Sequence, residues 1–259
     1  MNSIRNVKIN GKMYQLPSKP ITEKKTYSGT VYRLQVEERD MAIKVYRTEK
    51  MYEEEEMDDW FPPYQDMEVF LKASSEVFPF LLSDIIVFDE KDHYIGCGCY
   101  FVTETMGNTS NILFDITLND FFTYIFSLEE KIPVISKYHI SLDDLSIGNA
   151  RLGTISGVPN ISKLYMFDDS NYRVSEDSIK EITNDNYTSF SDFIYQLISD
   201  YYSAHQYTNR EYVFVLKELR RKDNYLKFLE KESRGYSNMN EFLLDYIKTF
   251  HKKINSRKL

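Results

Sequence analysis

YHISLDDLSIGNARL, residues 138–152, places Asp144 and Asn149 at fixed spacing between apolar residues, and the rest of the chain is best read outward from it. In D-L-x-x-x-N running into A-R-L, the carboxylate can sit beside a reacting hydroxyl while the amide oxygen holds a magnesium ion on phosphates. The same letters, Asp, Ser, Gly and Asn, also make up ordinary tight surface turns. The spacing therefore poses a question that the flanking segments must answer.

Those flanks are β-rich before the stretch and helical after it. VKINGKMYQL, residues 7–16, alternates around Asn10-Gly11, a strong short hairpin signal. KKTYSGTVYRLQV and MAIKVYR read as two further strands turning at Glu37 to Asp40. After the acidic run Glu53 to Asp59, read as a solvated loop, Pro62-Pro63 opens a helix at Tyr64 with Met67, Phe70 and Leu71 on one face. FPFLLSDIIVFDE and YIGCGCYFVTE are expected as strands joined at Glu90 to His93. Beyond Gly107-Asn108, Leu118 to Phe126 is predicted helical, and Ser127 to Glu130 resembles a capping box for another helix that Pro133 would kink or shift. RLGTIS and ISKLYMF are short strands, and helices are expected from Ser189 onward, the last capped by Asn238 with Glu241. The expected class is α+β: residues 1–107 as a β-rich unit with one main helix, and 108–259 as a mostly helical one.

Composition narrows the function classes. The 259 residues carry 42% hydrophobic side chains, enough for a substantial core. A net charge of -8, from 32 basic and 40 acidic residues, offers no basic footprint for nucleic acid. MNSIRNVKING shows no apolar leader and no run approaches a membrane span, so a cytoplasmic protein with no membrane partner is expected. Cys97 and Cys99, the only cysteines, read as two same-face strand residues rather than a disulfide or zinc framework. The heavy use of Tyr, Asn, Lys and Ile is the usage expected from an AT-rich bacterial genome.

Read together from about Tyr27 onward, these pieces resemble the protein-kinase-like superfamily. GTVYRL, with Gly29, Thr30 and Val31, resembles the end of the glycine-rich loop over ATP, and MAIK resembles the V-A-I-K strand, which makes Lys44 the phosphate-binding lysine. Glu68, in QDMEVFLKAS, resembles the helix glutamate that fixes that lysine. FVTETMG resembles the hinge between lobes, with Thr103 as gatekeeper, Glu104 to Met106 along the adenine edge, and Val31 and Ala42 sandwiching the ring. SLDDLSIGN resembles the catalytic loop, with Asp144 as base and Asn149 as magnesium ligand; YMFDDS resembles the segment carrying the second metal ligand, Asp168, with Asp169 the alternate. The resemblance implies a bilobal kinase-like fold and a phosphotransferase using ATP and Mg²⁺ on a hydroxyl acceptor, protein or small molecule.

The departures are equally specific. Only one loop glycine is present, Leu142 and Asp143 replace the usual His and Arg, and Asp169-Ser170 replace the Phe and Gly of D-F-G. Gly148-Asn149 is closer to the ending found in aminoglycoside- and choline-kinase-type enzymes. That resemblance favours an atypical or small-molecule branch. A pseudokinase that acts as a nucleotide-binding or interaction module is the competing expectation.

Overall fold

A computed structural model of the chain describes residues 5–21, 29–46, 62–104, 117–143, 145–156, 163–166, 172–204 and 225–236, with 241, 242, 245 and 249 as further helical positions. Strands dominate its first half and helices its second, a mixed α+β architecture. β1 (Asn6–Ile9) and β2 (Lys12–Gln15) form the hairpin that Asn10-Gly11 predicts. Both turn residues adopt positive φ, 49° and 76°, which Asn and Gly tolerate best. β3 (Gly29–Val36) and β4 (Arg39–Tyr46) pair along their whole length, so their turn is tighter than expected, only Glu37-Glu38.

α1 (Tyr64–Val77) begins directly after Pro63, as read from the sequence. It buries Asp66, Met67, Phe70, Ala73 and Val77, one stripe at helical spacing, while Leu71 is half-buried. The next strand is shorter than FPFLLSDIIVFDE suggested. Only β5 (Ile85–Phe88) joins the sheet; upstream, Phe80 forms a parallel bridge with Met166 and Leu81 donates its N–H to the Met166 carbonyl at 2.7 Å. β6 (Tyr94–Tyr100) completes a six-stranded antiparallel sheet in the order β2-β1-β5-β6-β4-β3. β7 (Val102–Glu104) leaves that sheet for another.

In the second half, α2 (Leu118–Glu129) is capped by Thr117, whose hydroxyl accepts the Asp120 N–H. The capping box expected at Ser127 does not form, because the helix runs through it and the Ser127 hydroxyl donates back to the Tyr124 carbonyl. Pro133 shifts the next start instead, α3 being Ile132–Lys137. β8 (Ile140–Leu142), a 3-10 turn at Ile147–Asn149, β9 (Ala150–Ile155), β10 (Lys163–Met166) and β11 (Tyr172–Val174) follow. β9 pairs with both β7 and β10, and β8 pairs with β11.

α4 (Ile179–Ala204) starts ten residues before the expected Ser189, at a Ser178/Glu181 capping box. That box supplies the N-terminus the sequence reading overlooked. α5 (Tyr225–Glu232) follows; the helix REYVFVLKELRRK and the Asn238 cap lie outside the described residues. One apolar cluster joins Tyr46, Phe70 and Cys97 of the first half to Ile125, Ile135 and Phe193 of the second. No helix among the described residues is long and apolar enough to cross a membrane.

Candidate functional site

Strand alternation assigns the expected nucleotide-binding residues to one face of the large sheet. Val31, Lys44, Cys97 and Ile86 stand in a row across β3, β4, β6 and β5, because Val31 is opposite Lys44, Lys44 opposite Cys97 and Cys97 opposite Ile86. The next row is Arg33, Ala42 and Cys99. At one end of this face Tyr46 and Cys97 pack in the cluster that contains Met67 and Phe70 of α1, and the Tyr46 hydroxyl lies 3.1 Å from Cys97 Sγ. At the other end Cys99 packs against the cluster of Leu81, Ile155 and Tyr165, which draws on β9 and β10. Lys44 and Ala42 therefore lie between α1 and the β9-β10 hairpin, on the side that faces the second half.

The strand registers frame the candidate catalytic loops. Leu142 pairs with Tyr172, and Ala150 pairs with Met166. The stretch 143–149 and the stretch 167–171 thus leave and re-enter paired strands at both ends. Asn149 closes the 3-10 turn, half-buried, with its N–H donating to the Ser146 carbonyl at 3.0 Å. Asp144, Asp168, Asp169 and Met106 lie outside the described residues. Tyr165, next to Met166 in β10, is buried, and that burial raises its phenol above the ordinary value, so it serves there as a neutral side chain.

A buried amide that the sequence reading missed holds this frame. Asn186 of α4 is 1% exposed. Its Oδ1 accepts the Leu142 N–H at 2.8 Å, and its Nδ2 donates to the Ile140 carbonyl at 2.9 Å and the Ser136 hydroxyl at 3.1 Å. Every polar group of the side chain is engaged, as a buried amide requires. β8 is thereby locked to α4 two residues before Asp144. Asn186 precedes Ser189, where the sequence places the helix start, so nothing in the sequence marked it as a buried helical position.

Other expected residues fall elsewhere. Glu68 is exposed on α1 and makes no ion pair with Lys44, because the buried stripe passes through Met67 and turns the next position about 100° away. Thr103, the expected gatekeeper, is exposed and pairs with Thr154 of β9, and Cys99 stands opposite Ala42 in the large sheet. Glu104 pairs through its backbone with Gly153. Val102–Glu104 thus belongs to the three-stranded sheet, directly after β6 of the six-stranded one. Gly29 opens β3 opposite Tyr46, where a Cβ would come within 2.6 Å of the Val45 carbonyl oxygen, so close strand approach alone demands glycine there. The β1-β2 hairpin joins the sheet at the edge opposite β3. Among the described residues no three His, Cys, Asp or Glu side chains cluster as metal ligands. No protein family and no curated protein matches the chain.

Proposed function

We propose that the chain is an ATP- and Mg²⁺-dependent phosphotransferase with a bilobal, protein-kinase-like arrangement that transfers the γ-phosphate to a hydroxyl of a protein or small-molecule acceptor. One observation carries the reading: the pairings Leu142 with Tyr172 and Ala150 with Met166 bracket 143–149 and 167–171 together. Asp144 is two residues from Leu142, and Asp168 two from Met166, so covalent reach keeps each within about 7 Å of a framed strand end. Lys44 lies on the sheet face directed toward the same half of the molecule.

In this reading Asp144 orients the acceptor hydroxyl and takes its proton, and Lys44 steadies the α- and β-phosphates. Asn149 and Asp168 present an amide oxygen and a carboxylate, the hard oxygen donors that suit Mg²⁺. Bound there, the ion would neutralise charge on the phosphates. Val31 and Ala42, on the Lys44 face, supply the apolar surface against which an adenine ring packs.

The test is γ-phosphate transfer, followed as autophosphorylation and ATP hydrolysis, in wild-type protein and Asp144→Asn. Loss of the base should lower turnover by about 100-fold or more while nucleotide binding survives. Wild-type activity no higher than that of Asp144→Asn would reject the enzyme reading. The second reading, a nucleotide-binding interaction module, is favoured by the exposed position of Glu68 on α1. Mg-ATP binding without transfer across acceptor panels would establish that alternative.

A further inference from the structure

Asp66 sits in the first turn of α1 yet is only 7% exposed. Its Oδ2 accepts the backbone N–H of Val174 at 3.1 Å, across 108 residues of sequence. Val174 ends β11 and pairs with Ile140 of β8, while Tyr172 at the other end of β11 pairs with Leu142. This hydrogen bond therefore ties α1 to the strand pair that closes one end of the candidate catalytic frame. A carboxylate near a helix N-terminus is favoured by the helix dipole, and a charged acceptor makes a stronger bond than a neutral one. An amide would satisfy Val174 without burying a charge. The sequence directs attention to Glu68, but the carboxylate that reaches the frame from α1 is Asp66.

We infer that Asp66 is a positioning residue for phosphoryl transfer, acting through the Val174 N–H to hold β11 against β8 and so fix Leu142 and Tyr172, the paired strand ends beside the candidate catalytic residues. The inference rests on the phosphotransferase reading above. Asp66 acts at a distance from nucleotide and acceptor; it places α1 and the β8-β11 pair in one register, so that a displacement of α1 is transmitted to Leu142 and Tyr172.

The experiment compares Asp66→Leu, which removes the acceptor, with Asp66→Asn, which keeps an acceptor oxygen, using ATP hydrolysis, autophosphorylation and amide hydrogen exchange at Val174. Asp66→Leu should lower kcat by about tenfold to a hundredfold, the scale of a misplaced catalytic group. KM for ATP should stay within about twofold, because no nucleotide contact is lost. Exchange at Val174 should quicken in the same variant, and Asp66→Asn should restore most of both. If Asp66→Leu does not fold, Asp66→Ser, too short to span the contact, carries the same expectation. Wild-type kcat in the acceptor-less variant, or a loss that Asp66→Asn does not relieve, overturns the inference. An inactive wild-type protein overturns the phosphotransferase reading itself and the role with it, whereas an active wild type with an indifferent Asp66→Leu removes the Asp66 inference alone.

Discussion

Ile43 and Lys44 are neighbours in β4, yet they belong to opposite faces of the six-stranded sheet. Ile43 is fully buried with Met41 and Val45 among Val7, Ile9, Val36, Ile85 and Val87, all contributed by the sheet and its hairpins. This face closes on itself. Lys44 is half-buried between Val31 and Cys97, on a face that depends on α1 and on β9 and β10 for its partners. One face buries its apolar side chains within the sheet itself, and the other packs them against α1, β9 and β10. Every expected nucleotide-contacting residue that the large sheet supplies, Gly29, Val31, Ala42 and Lys44, stands at a position of the second face.

Substitutions at these adjacent positions should separate the two roles. Ile43→Ala should cost about 2–5 kcal/mol in urea unfolding, since it leaves a cavity in a core that has nothing to refill it. Nucleotide affinity of the folded fraction should be unchanged; a parallel loss of affinity would show that the two faces are not independent. Lys44→Met keeps the aliphatic stem, so its unfolding free energy should move by no more than about 1 kcal/mol. Transfer should fall in Lys44→Met through lost phosphate positioning, and wild-type transfer in that variant would remove Lys44 from the site.

Asp84 sharpens the comparison at the edge of the self-contained core. Its Oδ2 accepts from Arg39 Nη1 at 2.9 Å, while Oδ1 is buried without a hydrogen-bond partner. Burial raises the carboxyl above its ordinary value of 3.8, and the nearby Arg39 guanidinium offsets that rise only in part. The folded state thus holds this proton more tightly than the unfolded chain does. Its contribution to stability is full below 3.8 and is lost as pH rises through the raised folded value. Asp84→Asn removes the titration, so the variant should gain on wild type as pH rises through that window. Urea midpoints that differ by the same amount at every pH would show that burial does not disfavour the Asp84 charge. By contrast, Asn186 is buried more completely but is neutral and fully bonded, and adds no pH dependence.

Much of the local structure was legible because its causes are local. Asn10-Gly11 makes a hairpin through the φ angles those two residues accept, Pro63 sets the start of α1, and alternation of Met41, Ile43 and Val45 with Ala42, Lys44 and Tyr46 divides β4 into two faces. The cysteines share a face for the same reason. Where local signals competed, the nearer one misled: Ser127 and Glu130 carry capping chemistry, but continuous burial of Phe122, Ile125 and Leu128 carries α2 through Ser127.

The candidate site divides along the same line. The resemblance to the kinase-like superfamily is what points to Lys44, Asp144, Asn149 and Asp168 as candidates, since residue type and spacing alone also fit an ordinary tight turn between Asp144 and Asn149. Only the folded chain decides which carboxylate of α1 is buried and which strands frame the loops. Asp66 and Glu68 are two positions apart with the same chemistry, and their difference arises from the rotation of the helix against β11. The pairings of Leu142 with Tyr172 and Ala150 with Met166, and the Asn186 bonds that hold the first of them, join residues far apart in sequence. No local preference encodes such contacts, since their energies exist only once distant segments have excluded water together.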